Sequence, residues 1–232
     1  MNNIAIVPAR SGSKGLKDKN IKLLKDKPLL AYSIEAAQQS GLFECVHVST
    51  DSEKYAKIAE QYGADIPFLR TEELSGDMAG SWDVVRFVLR EYEKRGQCFD
   101  TVTLLQPTSP LRNAEHIRAA YELYQKKGAK AVVSVCEMEH SPLWSNTLPE
   151  NLSMEHFQRD EVVNTPRQAL PAYYRLNGAI YIVDTDYLFE TQNFYKKDCY
   201  AYIMSQRESV DIDGEMDFKL AEWLCMTSGN MV

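Results

Sequence analysis

The sequence predicts an α/β fold, in which helices cover both faces of a mostly parallel sheet. Three observations lead to this fold class. Short runs rich in β-branched residues recur along the 232 residues, amphipathic segments of helical period lie between most of them, and glycine, proline or capping residues mark the boundaries. Strands that alternate with helices of this length usually lie parallel in one sheet, because each helix carries the chain back across it.

In the first half of the chain, the predicted boundaries coincide with residues that commonly begin or end helices. Pro28 can open a helix and Gly41 can end it. Asp51 or Ser52 can cap a second helix, and Ser81 can cap a third whose apolar positions follow helical spacing. Strands are predicted at residues 4–7, 45–49 and 66–69, and helices at 29–41, 52–62 and from 81 to about 92.

The second half continues the alternation with one interruption. Strands are predicted at residues 101–105, 131–138, 177–183 and 200–204, and helices from Asn113 to about 127, from Asp184 or Thr185, and at 214–226, before a frayed tail from 227. The interruption covers residues 140–176, where prolines 142, 149, 166 and 171 exclude a long helix. We expect an inserted hairpin or arm that projects from the sheet and serves as a dimerisation element.

Composition limits the classes of function. The 26 basic residues are outnumbered by 33 acidic ones, for a net charge of −7, which argues against a general nucleic-acid binder. The five cysteines are scattered and resemble reduced thiols rather than a disulfide framework or a zinc site. The first strand begins at Ile4, which leaves no room for a signal peptide, and no apolar run approaches membrane-spanning length. We therefore expect a cytoplasmic protein with no membrane partner.

A basic, glycine-rich loop follows the first predicted strand, at residues 8–20. It carries Arg10, Lys14, Lys17 and Lys19 against the single acid Asp18. Backbone N–H groups and basic side chains in such a loop suit phosphates, although a solvated surface loop is the alternative. The loop has neither the Gly-Lys-Ser/Thr ending of a P-loop nor the three spaced glycines of a dinucleotide-binding turn.

Ligands of open α/β sheets bind outside the carboxyl ends of the strands, where three candidate segments fall: residues 8–20, 106–112 and 210–213. In the last segment, Asp211 and Asp213 are two residues apart in an extended stretch, so both point to one face. Paired carboxylates beside a phosphate site suit Mg²⁺. The alternative is that Asp213 only caps the following helix and Asp211 is exposed.

Two arginines bracket a segment rich in Gln, Pro and Tyr, Arg167 and Arg175. A guanidinium binds a carboxylate in bidentate fashion, so one of them could hold an acidic sugar or a keto acid. The alternative is a pair with a surface acid, which is common in an acidic protein.

Five motifs, in order along nearly the whole chain, resemble those of the acylneuraminate cytidylyltransferases, also called CMP-sialic acid synthetases. They are Pro8-Ala9-Arg10-Ser11-Gly12-Ser13-Lys14-Gly15 with Lys19-Asn20, Leu105-Gln106-Pro107-Thr108-Ser109-Pro110-Leu111-Arg112, Arg167-Gln168, Asn177-Gly178-Ala179-Ile180-Tyr181, and Ser209-Val210-Asp211-Ile212-Asp213. The resemblance implies a Rossmann-like three-layer domain, a single nucleotidyltransferase unit over residues 1–232 with the arm inserted, and usually a homodimer. It also implies that the anomeric hydroxyl of a nine-carbon 2-keto acid sugar attacks the α-phosphate of CTP, with release of pyrophosphate.

The resemblance also implies site residues. Arg10, Lys19, Asp211 and Asp213 would be catalytic, the first two on the triphosphate and the acids on Mg²⁺, with Asp213 helping to deprotonate the attacking hydroxyl. The nucleotide-binding set would be Ala9, Arg10, Ser13, Lys14, Gly15, Lys19, Asn20, Arg70, Ala79 and Ser81. The sugar-binding set would be Gln106, Arg167, Arg175, Asn177 and Tyr181, with Phe194 and Tyr195 reaching into the sugar pocket of a partner subunit.

One departure bears on the sugar. Trp144 follows His140-Ser141-Pro142-Leu143, where sialic acid enzymes of the family often carry a lysine. Legionaminic acid or another bacterial nonulosonic acid is therefore an alternative substrate. The eight-carbon sugar Kdo is a further one, although its enzymes carry a different basic loop. A catalytically silent nucleotide-binding module is the alternative from another class.

Overall fold

The structure of the chain, a computed structural model, describes residues 1–12, 15–76 and 79–227. Its strands are β1 (Asn3–Pro8), β2 (Leu23–Leu24), β3 (Lys27–Pro28), β4 (Cys45–Ser49), β5 (Thr101–Leu104), β6 (Ala131–Glu137), β7 (Tyr174–Asp184) and β8 (Cys199–Met204). Its α-helices are α1 (Leu29–Ser40), α2 (Glu53–Gln61), α3 (Ser81–Glu93), α4 (Ala114–Lys127), α5 (Thr185–Glu190) and α6 (Glu215–Thr227).

Six of these strands form one sheet in the order β4-β1-β5-β7-β6-β8, and β2 and β3 form a separate hairpin. The pairs β1–β4, β1–β5 and β6–β8 are parallel, whereas β7 is antiparallel to both of its neighbours. The predicted α/β class with a mostly parallel sheet is confirmed. Because β7 is reversed, its first residues lie at the carboxyl edge of the other strands: Tyr174 pairs with Glu137 at the end of β6.

Helices cover both faces of the sheet. On one face α1, α2 and α4 pack through residues such as Ile34, Ala59 and Ile117, and on the other α3 and α5 pack through Val85 and Leu188. Burying an aliphatic side chain of this size contributes roughly 1.5–3 kcal/mol, which favours the folded state at each of these positions. A third cluster joins α6 to the β2–β3 hairpin through Leu24, Leu29, Ile212, Phe218 and Ala221.

The predicted helix caps are mostly confirmed. Ser52, and not Asp51, accepts the N–H of Tyr55 at the start of α2. Asn113 accepts the N–H of His116, whose ring accepts the Asn113 N–H in return, so that α4 begins with a reciprocal cap. The prediction for α3 was wrong by one residue, because Gly80 stands at the cap and Ser81 is the first residue of the helix.

The predicted strand at residues 66–69 was wrong. The segment makes one isolated bridge, between Asp65 and His47 on β4, and then departs from the sheet. Pro67 has no N–H to donate to a ladder, so the chain cannot continue as a paired strand. Instead the ring of Phe68 stacks on His47, 5.0 Å away, and the N–H of Arg70 donates to the carbonyl of Thr50 over 2.7 Å.

Between β6 and β7 the chain is irregular, as the prolines require, but the predicted hairpin is not formed by the described residues. The path contains three 3₁₀ turns, Pro142–Trp144, Asp160–Val162 and Arg167–Ala169, together with hydrogen-bonded turns at 149–152 and 154–157. We call residues 138–173 the arm. Strand β7 begins at Tyr174, earlier than predicted, because residues 174–176 extend the pairing with β6 beyond an irregularity in register. In the part of the chain that the structure describes, no helix is both long and apolar enough to cross a bilayer.

Candidate active site

A cavity of about 570 Å³ opens at the carboxyl edge of the sheet. The three segments predicted to meet at this edge all contribute to its wall, and so does the connection that leads into α3. The lining residues are Pro8, Arg10, Gly15, Lys19, Asn20, Arg70, Ala79, Ser81, Val84, Gln106, Pro107, Thr108, Asp211 and Asp213.

Two side chains that are not basic, Asn20 and Asp51, hold the loop after β1 in place. The Asn20 amide is buried and donates to the carbonyl of Arg10 over 3.0 Å. The carboxylate of Asp51, at the end of β4, accepts the N–H of Ser11 at 2.7 Å and its hydroxyl at 2.6 Å. Partial burial works to raise the pKa of Asp51, but these hydrogen bonds outweigh it and the pKa is lowered. Asp51 is thus a charged anchor for the loop.

Two arginines form a cationic wall of the cavity. Arg70 is 8% exposed; its guanidinium donates to the carbonyls of Ser49 (2.5 Å) and Leu74 (3.3 Å), and its Nε has no partner among the described residues. Burial lowers the pKa of Arg70 to about 10, with a contribution from nearby Arg10, so it remains charged at neutral pH. Arg10 donates to the carbonyl of Ser75. Two neighbouring guanidinium groups at the edge of a cavity favour an anionic ligand.

The basic loop closes onto the acidic segment at the opposite end of the sequence. The Lys19 ammonium donates to the carbonyl of Ile212 at 2.6 Å and lies 3.3 Å from Oδ1 of Asp213. Gly15 approaches still more closely, because a Cβ at this position would lie 2.6 Å from the carbonyl oxygen of Asp213. A side chain at residue 15 would therefore push the two segments apart.

Asp211 and Asp213 differ in environment. Asp211 is half-buried, and its Oδ1 has no hydrogen-bond partner among the described residues, whereas the side chain of Asp213 is 83% exposed. Burial raises the pKa of Asp211, as does repulsion from Asp213, while a hydrogen bond from Thr108 and the charges of Lys19 and Arg175 oppose the rise. A carboxylate oxygen that is buried without a donor is costly unless a ligand satisfies it.

Asp217 holds the backbone at the start of α6, next to Asp213. The carboxylate of Asp217, in the first turn of α6, accepts the N–H groups of Asp213 (3.0 Å) and Gly214 (2.8 Å). The carboxylate of Asp213 itself lies beside the ammonium of Lys19, 3.3 Å away.

These two carboxylates fit a hard divalent cation. The orphaned Oδ1 of Asp211 and the exposed group of Asp213 are separated by one residue of extended chain. Within the described residues no group of three or more His, Cys, Asp or Glu side chains converges on a metal position, so protein would supply two ligands at most. Mg²⁺ is commonly held by one or two carboxylates together with water and substrate phosphates, which matches this donor set.

The remaining wall is built by Gln106, Pro107 and Thr108. Gly178, with a φ of +75°, leaves room for this wall, since a Cβ there would lie 2.5 Å from Oε1 of Gln106. Arg112 is almost fully buried beneath it and donates to the hydroxyl of Ser33 (2.6 Å) and to the carbonyls of Ala179 (3.3 Å) and Gln106 (3.4 Å). A buried cation with backbone carbonyls as partners thus fixes the start of this wall.

The sequence profile of the family described as cytidylyltransferase matches residues 4–225. The chain belongs to the cytidylyltransferase family. The family recognised from the motifs is thereby confirmed.

Curated relatives agree with this assignment. The chain is 44% identical over 219 residues to the N-acylneuraminate cytidylyltransferase of Escherichia coli O18:K1:H7, an alignment that covers 94% of this chain and 51% of the relative. It is 39% identical over 228 residues to the CMP-N,N′-diacetyllegionaminic acid synthase of Legionella pneumophila, covering 97% and 96%. The chain therefore spans about half the length of the first relative and nearly all of the second.

A solved structure supports the fold alone, because its sequence identity is only 14%. It is described as CMP:2-keto-3-deoxy-manno-octonic acid synthetase complexed with CTP, with a TM-score of 0.73 and coverage of 98% of this chain and 100% of that one. The mostly parallel sheet of this cytidylyltransferase is thus shared with a distant protein of related architecture.

Ten of the residues implied by the family resemblance line the cavity. They are Arg10, Gly15, Lys19, Asn20, Arg70, Ala79, Ser81, Gln106, Asp211 and Asp213. Ser13 and Lys14 lie outside the described residues, so their expected contacts with the nucleotide stay predictions.

Four of the implied residues are buried in the chain rather than facing the cavity. Ala9 is fully buried, and its N–H donates to the carbonyl of Ser49. Tyr181 is 8% exposed and packs edge-on against Trp82, which also contacts Phe194 at 4.7 Å between ring centroids. Phe194 is 3% exposed, so its ring packs in the core of its own chain, and its expected contact with a partner subunit stays a prediction. Asn177 is 1% exposed and makes hydrogen bonds with Ser134 and Ser209, so its expected contact with a sugar stays a prediction.

The other implied residues lie at the periphery. Arg167 lines a separate cavity of about 320 Å³, formed by the end of β6 and the arm, with Glu137, Glu139 and Tyr173. Arg175 is exposed and donates to the carbonyl of Ser209 at 3.1 Å. Tyr195 is 48% exposed. Within one chain, therefore, the structure does not bring Arg167 or Tyr195 to the main cavity.

Sequence reasoning missed Asp51, Thr108 and Asp217 as parts of the site. Asp51 was weighed only as a helix cap, although it directly follows a strand that ends at the active edge. Thr108 lay within a quoted motif, and Asp217 shares the acidic start of α6 with Asp213. Position at the carboxyl edge, applied to every strand and not only to those with motifs, would have identified the first two.

Proposed function

We propose that the chain is a cytidylyltransferase that joins CTP to an N-acylneuraminate or a closely related nonulosonic acid, giving the CMP-sugar and pyrophosphate. The observation that carries the proposal is the placement of Asp211 and Asp213 against Lys19, in the same cavity as Arg10 and Arg70. A triphosphate needs both cationic partners and a metal position, and this cavity offers the residues for each.

The triphosphate would lie along the basic loop. Arg10 and Lys19 would contact its phosphate oxygens, and Asn20, which holds the carbonyl of Arg10, would keep that loop in place. Arg70, Ala79 and Ser81 form the neighbouring wall, where the cytidine would bind. Gln106, which also lines the cavity, would contact the sugar.

The reaction itself requires one bond to form and one to break. The anomeric hydroxyl oxygen of the sugar bonds to the α-phosphorus, the bond from that phosphorus to the bridging oxygen breaks, and pyrophosphate leaves with the electron pair. The hydroxyl proton must be accepted, and the exposed carboxylate of Asp213 is the candidate acceptor in the cavity. Lys19 and Arg10 stabilise the charge that develops on the phosphate oxygens.

Asp211 and Asp213 would hold Mg²⁺, which when bound neutralises charge on the triphosphate. Asp211 then has a partner for its orphaned oxygen. This role rests on the chemistry of the two carboxylates and on the family, and it is part of the proposal.

Two sugar classes fit the relatives, which are named for N-acylneuraminate at 44% identity and for N,N′-diacetyllegionaminic acid at 39% identity. Trp144 lines a cavity within the arm together with Met154 and Phe157. Legionaminic acid is the second candidate because of the relative that is 39% identical over nearly its whole length. Kdo is less favoured, because only the fold links the chain to a synthetase for that sugar.

We infer that the protein works as a homodimer. Leu176 on β7 and Ile203 on β8 flank Val135 of β6 in register and are 51% and 59% exposed, which leaves an apolar row open at this end of the sheet. The arm adds exposed Leu148, Leu152 and Met154. A second copy covering this row would account for it, and light scattering of the wild type and of Leu176→Lys tests the inference: a wild-type monomer would refute it.

A cytoplasmic location completes the proposal. All five cysteines are free in the structure, which is the state expected in a reducing compartment.

The decisive experiment measures pyrophosphate release with CTP, Mg²⁺ and a panel of sialic, legionaminic, pseudaminic and Kdo sugars. Release with a nine-carbon acid, and its loss in Asp211→Asn but not in the exposed control Asp26→Asn, is the expected result. CTP binding without release for any member of the panel would instead favour a silent nucleotide-binding module. Release only with Kdo would overturn the assignment of the sugar.

A further inference from the structure

Asn177 is the centre of a buried hydrogen-bond network beneath the cavity. Its Oδ1 accepts the hydroxyl of Ser134 on β6 at 2.6 Å and the N–H of Ala179 at 3.2 Å. Its Nδ2 donates to the hydroxyl of Ser209 at 2.9 Å and contacts the sulfur of Met204 at 3.4 Å. The amide therefore has partners on both of its ends, and the side chain is closed off from the cavity.

Ser209 carries this network to the acidic segment. It is fully buried, its hydroxyl donates to the carbonyl of Ser205 at 2.6 Å, and its own carbonyl accepts from Arg175 at 3.1 Å. Two residues later the chain reaches Asp211. The hydroxyl and the carbonyl of Ser209 are thus both held by hydrogen bonds, and these bonds fix the backbone from which Asp211 projects.

The segment is held from its other side as well. The N–H of Ile212 donates to the carbonyl of Thr108 at 2.8 Å. Asp211 therefore lies between two anchors, Ser209 before it and Ile212 after it. A carboxylate held in this way keeps one orientation, which is what a ligand of a cation with strict octahedral geometry requires.

We propose that Asn177 is a positioning residue for Asp211, acting through Ser209, and that it does not contact the sugar. The inference rests on the proposed function, because it assumes that Asp211 binds the metal that accompanies CTP. In this role, the buried amide of Asn177 on β7 holds the segment after β8, and so keeps the metal ligand Asp211 in the correct orientation.

The alternative is a direct contact between Asn177 and the sugar. That contact would require the amide to turn toward the cavity, giving up the hydrogen bonds to Ser134 and Ser209. The two hydroxyl groups would keep the carbonyls of Ile180 and Ser205 as partners, but the amide would lose the partners that satisfy both of its ends. The observed arrangement is therefore favoured in the free protein.

The test measures how much Mg²⁺ tightens the binding of CTP. Calorimetric titration of CTP in EDTA and in saturating Mg²⁺ gives a ratio of the two Kd values, without sugar and without turnover. Ser209→Ala should reduce this ratio by about tenfold, the loss typical when a partner that orients a metal ligand is removed. Binding in EDTA should be unchanged, since the arginines and Lys19 are intact.

A matched control is available at Ser134. Ser134→Ala deletes a buried serine hydroxyl bonded to the same Asn177 amide, but on the side away from Asp211, so its ratio should stay close to that of the wild type. Ser209→Cys keeps a weak acceptor of similar size and should restore part of the ratio. Thermal melts of each variant identify any that does not fold, and the remaining variants decide the result.

Each outcome is distinct. A wild-type ratio retained in Ser209→Ala and in Asn177→Ala would refute the positioning role while leaving the proposed function intact. Asn177→Ala with an unchanged ratio but a raised KM for the sugar would establish the direct contact instead. A wild type in which Mg²⁺ does not affect CTP binding would overturn both the metal role and this inference.

Discussion

Gly15 lies against the backbone of Asp213, so closely that a Cβ on residue 15 would stand 2.6 Å from the Asp213 carbonyl oxygen. The two residues come from opposite ends of the sequence, and their contact brings the basic loop to the acidic pair. Lys19 adds its ammonium group to the same contact. This approach of two backbones determines where cation and carboxylate face each other.

The first prediction concerns this contact. Gly15→Ala should lower kcat/KM by about 10²-fold, because a displacement near 1 Å of the loop misaligns the phosphates. The matched control is Gly76→Ala, where the nearest atom to an added Cβ is 3.8 Å away, an ordinary contact. Steady-state pyrophosphate release measures both. Equal rates for Gly15→Ala and the wild type would show that the loop can shift without loss of function.

The second prediction concerns the charge of Lys19. Lys19→Met should lower kcat by roughly 10²–10³-fold, the effect typical of removing one preorganised charge from the transition state. Lys22, three residues further along the chain, is the control: it pairs with Glu215 at 3.0 Å and does not line the cavity. Lys22→Met should therefore stay near the wild-type rate. A similar loss in both variants would indicate that the loop's structure, not the position of the charge, is responsible.

The third prediction concerns stability at acidic pH. Burial lowers the pKa of His47 to about 4 from 6.5, so the unfolded state takes up a proton that the folded state rejects between these values. The free energy of unfolding should therefore fall as pH drops, and the share due to His47 between pH 7 and 5 is about 2 kcal/mol. Urea unfolding at both pH values measures it. His47→Gln should flatten the dependence; an unchanged slope would assign it to other groups.

The fourth prediction concerns Arg112, whose guanidinium reaches Ser33, Gln106 and Ala179 while its Nη1 has no partner among the described residues. Arg112→Lys should reduce the free energy of unfolding by about 1–3 kcal/mol, since an ammonium cannot span these acceptors and leaves buried groups unpaired. It should also raise the KM for the sugar, because Gln106 loses its support. Chemical denaturation and sugar titrations measure the two effects. A destabilised variant with an unchanged KM would limit Arg112 to a structural role.

Much of the fold followed from local signals. The parallel strands, the Ser52 and Asn113 caps and the stop at Gly41 are each determined by residues within a few positions. The strand expected at 66–69 failed for a local reason too, because Pro67 lacks the donor that pairing requires. The strand preference of the apolar residues around Pro67 was outweighed by the proline.

The site was only partly accessible from sequence. The facing of Asp211 and Asp213 followed from the two-residue period of extended chain, and Lys19 from its loop. The anchor Asp51 was accessible only from its place after a strand, since its bonds to Ser11 span 40 positions, and nothing in the sequence distinguished Asp217 from the other acids at the start of α6. The burial of Asn177 depends on how three separate segments pack, which no local pattern encodes.

The reversal of β7 has a consequence for how such an enzyme can change. Because β7 starts at the active edge, the arm joins the sheet at this edge, whereas the segments that line the main cavity follow parallel strands. The arm and these segments are thus separate stretches of chain that share only an edge of the sheet. An arm exchanged between relatives would alter the choice of acceptor while the grip on the triphosphate passes unchanged from one enzyme to the next.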